Sequence, residues 1–221
     1  MKKRTVLLQK RIEKFKKIDL YPVTCEALSN GRSNIEILKN VIAGGAKIIQ
    51  LREKELCKRE LYEQALIFRK LTKEKGLLLI INDHLDIALA VDADGVHLGR
   101  DDLPTEAARR IAPECIIGRS THSLEQALKE AEDGADYINI GPIFHTGTKE
   151  HETALGVEII RQVRQKVKAP FTVMGGINAE NIKDVLKCGA ERIAMVSCIT
   201  ASEDIAAQVK ELRKVILEHK K

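Results

Sequence analysis

The chain has 221 residues, is 44% hydrophobic and carries a net charge of +5, enough apolar content for one sizeable core and too much for a disordered segment. Aromatic residues make up only 3%, so platforms for stacking nucleic-acid bases are scarce, and no apolar run reaches the ~18 residues a membrane span needs. Five cysteines (Cys25, Cys57, Cys115, Cys188 and Cys198) show no C-x-x-C spacing, which argues against a zinc site and against a disulfide framework.

The basic character is peripheral. Residues 1–17 hold eight Lys/Arg against one Glu and residues 210–221 hold five against two, so the stretch between them is net acidic. Residues 1–17 lack the apolar stretch and small-residue cleavage site of a signal peptide, and the expected location is the cytoplasm. They read as a basic leading helix with a solvated face, ahead of a catalytic domain over 18–221. Neither a nucleic-acid nor a membrane partner is expected, and homo-oligomer formation is left open.

In chain order, a leading helix at 3–17 gives way to apolar strands alternating with longer helices. Strands are predicted near 20–24, 46–51, 77–81, 94–97, 115–119, 136–140, 171–174 and 191–196. Helices are predicted near 34–44, 58–75, 84–91, 104–112, 123–133, 154–167, 178–187 and 203–218. The run Leu77-Leu78-Leu79-Ile80-Ile81 is apolar throughout, as suits a parallel strand buried on both faces. Ser123 and Ser202 read as helix starts, Pro104 as a first-turn residue, and Gly44-Gly45, Gly76, Gly134 and Gly189 as helix ends. Eight such units in so short a chain, with no strong Gly-x-Gly-x-x-Gly after the first strand, predict a closed α/β barrel of the (β/α)8 or TIM type over a doubly wound open sheet. Cys115 and Cys198 fall in strand patterns and read as core thiols.

Polar residues gather where these strands end, the rim at which barrel enzymes do their chemistry. In Gln50-Leu51-Arg52-Glu53-Lys54 the period of two puts Gln50, Arg52 and Lys54 on one face and Ile49 and Leu51 on the other. An amide with two cations suits a planar polar group beside phosphate; a structural Arg–Glu pair is the plainer alternative. Asn82-Asp83 and Asp101-Asp102 end neighbouring strands, so Asp83 and Asp102 could share one Mg2+ with substrate phosphate, or each could cap the helix it precedes. Gly118-Arg119-Ser120-Thr121-His122 ends the fifth strand, with His122 at the rim and His97 mid-strand as a packed, hydrogen-bonded residue. His84, His145 and His151 read as solvent or loop residues. The irregular stretch 141–153, holding Thr146, Thr148 and Lys149, has the length and chemistry of an active-site flap. Gly175-Gly176 and Val196-Ser197 end the seventh and eighth strands, where backbone N–H groups of this fold hold phosphate; a tight turn is the alternative for the glycine pair. One phosphorylated ligand held by backbone amides and another by metal and cations points to joining or exchange at a carbon bearing diphosphate.

From Tyr21-Pro22-Val23-Thr24 to about residue 215, these strings together with Ala93-Asp94-Gly95-Val96-His97-Leu98-Gly99, Gly134-Ala135-Asp136-Tyr137 and Gly141-Pro142-Ile143-Phe144 resemble the thiamine phosphate synthases. The resemblance implies a (β/α)8 barrel that joins 4-amino-5-hydroxymethyl-2-methylpyrimidine diphosphate to 4-methyl-5-(2-hydroxyethyl)thiazole phosphate, giving thiamine phosphate and diphosphate. By it, Asp83 and Asp102 would hold Mg2+, Arg52, Lys54, Ser120 and Lys149 would contact the diphosphate, and Asn82 would sit beside it. Gln50 would help place the pyrimidine, while Thr146, Thr148, Gly176, Val196 and Ser197 would hold the thiazole phosphate. His122 would touch ligand. The chain departs from the family at Arg119, where a small apolar residue is common, and at Arg100, Glu150 and Met174. Two other readings are carried: a related thiazole tautomerase that needs no metal and uses His122 as acid and base, and a non-catalytic phosphate-ligand-binding barrel. The presence of Asp83, Asp102 and Lys149 favours the synthase over both. A Schiff-base role for Lys149 would leave the carboxylates without a task.

Overall fold

A computed structural model describes residues 5–146 and 153–219. Its elements run α1 (Val6–Lys16), β1 (Leu20–Pro22), α2 (Asn34–Ala43), β2 (Ile48–Leu51), α3 (Lys58–Lys75), β3 (Leu78–Asn82), α4 (Leu85–Ala90), β4 (Gly95–Leu98), α5 (Thr105–Ile111), β5 (Ile116–Thr121), α6 (Leu124–Glu132), β6 (Tyr137–Ile140), α7 (Glu158–Lys166), β7 (Phe171–Val173), α8 (Ile182–Lys187), β8 (Ile193–Met195), α9 (Ser197–Thr200) and α10 (Ile205–His219). All strands pair in parallel in the order β1-β8-β7-β6-β5-β4-β3-β2, and a bridge from Val23 to Gln50 closes the seam into the expected barrel. Thr24 stitches that seam: its N–H donates to the Gln50 carbonyl at 3.0 Å and its hydroxyl accepts from the Arg52 N–H at 3.0 Å.

Strand alternation sorts side chains between two cores. Ile49, Leu51, Leu79, Ile81, Val96, Leu98, Ile117, Ile138 and Ile140 face outward and pack under the helices. Ile48, Leu78, Ile80, Ile116 and Tyr137 face inward. The lower end of that interior is closed by α1, whose Leu8, Ile12 and Phe15 belong to the inner core. Lys10, Lys14 and Lys16 do lie on a solvated face, as expected, but Arg11 is buried. Its guanidinium donates to the Glu114 carbonyl and to Asp92, both at 3.0 Å, tying the plug to the loops beneath β4 and β5.

Some boundaries differ from those the sequence predicts. Helix α7 starts late because the Leu155 and Gly156 N–H groups bond across to the carbonyls of Pro142 and Ile143, at 2.8 and 3.0 Å. Helix α8 starts late because the Asn178 side-chain oxygen takes the N–H groups of Glu180 and Asn181, at 2.9 and 3.1 Å, in a local turn that competes with helix. Ser123 caps α6 as predicted, whereas α10 is capped by Asp204, which accepts from the Ala207 N–H at 2.9 Å, and not by Ser202. Cys198 lies in the unpredicted short helix α9, not in a strand, and all five cysteines are free. Among the described residues no helix is long and apolar enough to cross a membrane.

Candidate active site

The inward positions one layer above the apolar plug are polar and form a continuous chain. Gln50 on β2 donates through Nε2 to the Tyr21 hydroxyl at 2.9 Å, and Tyr21 meets the Tyr137 hydroxyl at 3.0 Å. Tyr137 meets His97 Nδ1 at 2.8 Å, and His97 Nε2 meets the Ser120 hydroxyl at 2.8 Å. Both tyrosines are fully enclosed, and burial pushes their hydroxyls well above the ordinary tyrosine range. One proton order uses every donor in this chain: the Gln50 amide donates to Tyr21, Tyr21 to Tyr137, Tyr137 to Nδ1, and Nε2–H to Ser120. In that order the Ser120 hydroxyl keeps its own proton for a further acceptor. Beside this chain, Thr172 donates to the Asn139 side-chain oxygen at 2.7 Å, so the polar layer continues across β6 and β7.

Above this layer sit the two acids, and neither caps a helix. Asp83 adopts φ +60°, a left-handed conformation that an aspartate tolerates better than most side chains. Its N–H donates to the His97 carbonyl at 2.8 Å, and the N-cap position of α4 is His84. Asp102 turns back toward the end of β4, where its Oδ2 accepts from the Gly99 N–H at 2.6 Å, and Pro104 holds the N-cap position of α5. Burial, then the charge of Asp102 and a hydrogen bond to it, raise the Asp83 carboxyl above its ordinary range, with Lys54 opposing. Two carboxyl groups this close favour a shared proton or a shared cation. Among the described residues no cluster of three or more metal-ligating side chains forms. A pair of carboxylates could hold Mg2+, which takes one or two carboxylates and completes its shell with substrate oxygens and water.

Around this pair the rim assembles from successive strand ends. Arg52 is half-buried just past β2 and Lys54 is exposed beside it. Glu53, between them, is not paired with Arg52: it is buried and accepts from the Glu26 N–H at 3.2 Å, the Asn34 side chain at 3.0 Å and the Lys54 N–H at 3.0 Å. It fastens the β2 loop to the turn Glu26–Leu28 and to the start of α2, which the local string does not reveal. Asn82 ends β3 in register with His97. His122 is half-buried after β5, where its Nδ1–H donates to the Gly141 carbonyl at 2.6 Å.

The far side of the rim is built from loops packed on one another. Gly175 and Gly176 have φ +101° and +62°, and a Cβ on either would run into Pro142 or Phe144 of the β6 loop. This close packing is reason enough for the glycine pair, whatever ligand lies above it. The Phe144 N–H donates to the Gly175 carbonyl at 3.0 Å, so the two loops form one ledge ending near Thr146. Val196 precedes α9 and Ser197 opens it, exposed to solvent. Thr148 and Lys149 lie outside the described residues. Sequence reasoning missed Tyr21, Tyr137 and Asn139 as parts of the interior, though inward-facing polar side chains on a barrel strand are the signal that could have found them.

A sequence model of the family described as Thiamine monophosphate synthase matches residues 20–199. A thiamine-phosphate synthase of Caldicellulosiruptor saccharolyticus is 46% identical over 212 residues, which is 95% of this chain and 96% of its own. One from Chloroflexus aurantiacus is 46% identical over 198 residues, 89% of this chain and 92% of its own. Among solved structures, a thiamine phosphate pyrophosphorylase from Pyrococcus furiosus superposes with a TM-score of 0.87 at 40% identity, covering 94% of this chain and 98% of its own. A 3-hexulose-6-phosphate synthase, 20% identical with a TM-score of 0.69, shares the barrel fold alone. Alike in sequence and in backbone over nearly the whole barrel, the chain belongs to the thiamine-phosphate synthase family of transferases.

Proposed function

We propose that the chain, a cytoplasmic enzyme, joins 4-amino-5-hydroxymethyl-2-methylpyrimidine diphosphate to 4-methyl-5-(2-hydroxyethyl)thiazole phosphate, releasing diphosphate and forming thiamine phosphate. The observation that supports this most is the contact between Asp83 and Asp102 at neighbouring strand ends, with neither acid spent as a helix cap. Held by these two carboxylates, Mg2+ would neutralise charge on the diphosphate as it leaves. Arg52, Lys54 and Lys149 add positive charge around the same group, Asn82 sits beside it, and the Ser120 hydroxyl donates to it. Gln50, whose Nε2 is committed to Tyr21, offers its carbonyl oxygen to the pyrimidine amino group. Thr146, Thr148, Gly176, Val196 and Ser197 hold the thiazole phosphate, and His122 touches ligand.

The chemistry this set favours is a dissociative displacement. The bond from the pyrimidine methylene to the diphosphate oxygen breaks, the diphosphate takes the electron pair, and the thiazole nitrogen attacks the methylene cation. Little acid–base catalysis is needed; charge neutralisation of the leaving group and exclusion of water from the cation are. The test is to incubate both substrates with and without Mg2+ and to follow diphosphate release and thiamine phosphate by chromatography. Formation of both products that depends on Mg2+ and is lost in Asp102→Ala supports the reading. Failure of the folded enzyme to form either product would overturn it, and product formation indifferent to Mg2+ and to that substitution would overturn the metal role.

A further inference from the structure

Arg119 has no place in the site just described, yet it is 3% exposed. It faces outward on β5 between the inward-facing Gly118 and Ser120, and its guanidinium reaches into the space under α5 and α6. Nη2 donates to Glu130 Oε1 at 3.1 Å and Nε lies 3.1 Å from Glu130 Oε2. Nη1 donates to the carbonyl of Leu103 at 3.1 Å. Glu130 in turn accepts from the hydroxyl of Thr105, the first residue of α5, at 2.7 Å. Leu103 directly follows Asp102, so the segment 103–105 is fastened to β5 and α6 immediately after the acid. Asp102 fastens itself on the other side, through Gly99 at the end of β4.

A buried ion pair is a costly way to fill space, and an apolar side chain of similar size would pack there without the desolvation. What an apolar side chain could not do is hold the Leu103 carbonyl. We propose that Arg119 is a positioning residue for Asp102: by gripping Leu103 from β5, with Glu130 holding the guanidinium in place, it sets the loop after β4 so that Asp102 meets Asp83 at the separation a divalent cation requires. The inference rests on the reading of Asp83 and Asp102 as the metal-binding pair. It gives the fold a direct link from the back of β5 to the metal-binding face of β4.

The test compares the wild type with Arg119→Met and with Arg119→Met/Glu130→Gln. In the double variant no buried charge is left unpaired, and the amide that replaces the Glu130 carboxylate can still accept from Thr105. It therefore decides the matter where the single variant fails to fold. Mn2+ binding is measured by electron paramagnetic resonance with inorganic diphosphate present, alongside the Mg2+ half-saturation of turnover and the KM for thiazole phosphate. Roughly tenfold weaker Mn2+ binding and a matching rise in Mg2+ half-saturation are expected, at the low end of what outer-shell partners carry, with KM for thiazole phosphate unchanged. A folded double variant that binds Mn2+ as tightly as the wild type overturns the positioning role while leaving the metal reading standing. A wild type that binds no Mn2+ beside diphosphate removes the metal reading itself, and the inference with it.

Discussion

Replacing Tyr137 by Phe tests the buried polar chain at its middle link. Phenylalanine keeps the ring and its stack on Phe15, at 4.3 Å between centroids, so no cavity forms. What disappears is one hydroxyl that meets Tyr21 at 3.0 Å and His97 at 2.8 Å. A buried polar group left unsatisfied costs about 1–3 kcal/mol. Each stranded partner keeps its other bond, Tyr21 to Gln50 and His97 to Ser120, so the lower half of that range applies to each. The expected loss is about 2–3 kcal/mol in all, or a Tm lower by about 5–10 °C for a chain of this size. With no tryptophan in the chain, the assay is thermal and urea unfolding followed by far-ultraviolet circular dichroism. Tyr21→Phe and the double variant complete a cycle in which the two losses should fail to add by at least about 0.5 kcal/mol. A Tm for Tyr137→Phe within about 2 °C of the wild type would refute the claim that this hydroxyl links two buried partners.

Other sites give sharper contrasts. A Cβ at Gly118 would fall within the Tyr137 ring, so Gly118→Ala should destabilise the fold by about 1–3 kcal/mol or more, read from the same melts, and an unchanged Tm would argue against the close packing of β5 on β6. Asp19 is fully buried: burial opposes its ionisation, but hydrogen bonds from Arg213 and the Leu20 N–H, with the charges of Arg213 and Lys47, hold its carboxyl below the ordinary range. A carboxyl held low in the folded state contributes stability that is complete above the unfolded value and is lost as pH falls through the folded one. Arg213→Met should therefore cost about 3–5 kcal/mol at neutral pH and flatten the loss of stability that sets in as pH falls below about 5; equal acid sensitivity in both proteins would contradict the pairing. Asp83 is the opposite case, since a carboxyl raised on folding costs stability once pH exceeds its unfolded value. Asp83→Asn should thus match or exceed the wild-type Tm in the absence of metal while turnover falls by about 100-fold or more, and a variant that is both active and less stable would count against the assigned role.

Much of the scaffold was legible because barrel strands announce themselves. Leu78-Leu79-Ile80-Ile81 is apolar at every position because one set of side chains meets the helices and the other meets the interior, and the structure assigns alternate residues to those two cores. The pairing of Asp83 with Asp102 was legible too, since strands consecutive in sequence are neighbours in the sheet. Polar contacts between distant strands were not. Tyr21 and Tyr137 are 116 residues apart, and nothing in either local string names its partner. Glu53 misled for a related reason: beside Arg52 and Lys54 it looks like part of a charge cluster, yet its partners lie in the turn before α2 and in α2 itself. Helix starts at Asn178 and Ser202 were displaced because short polar side chains satisfy nearby N–H groups in several ways of similar energy.

His97 shows how much a modest expectation can understate. The sequence marks it as a packed, hydrogen-bonded mid-strand residue, and that is what it is. Its position on β4 gives those bonds their reach. The backbone carbonyl of His97 accepts the N–H of Asp83, helping to hold that residue in its left-handed conformation at the mouth. Its side chain joins Tyr137 below to Ser120 above, on a different strand. One residue therefore couples the backbone of Asp83, the Ser120 hydroxyl, and the tyrosine stacked on the α1 plug. The carboxylate side of the mouth is braced from within by strand-borne groups, whereas the β6–β8 side rests on loop-to-loop packing at Gly175 and Pro142. That asymmetry fits the proposed chemistry. Diphosphate departure needs its positive charges already in place, whereas the thiazole phosphate needs only to be held within reach of the cation that forms.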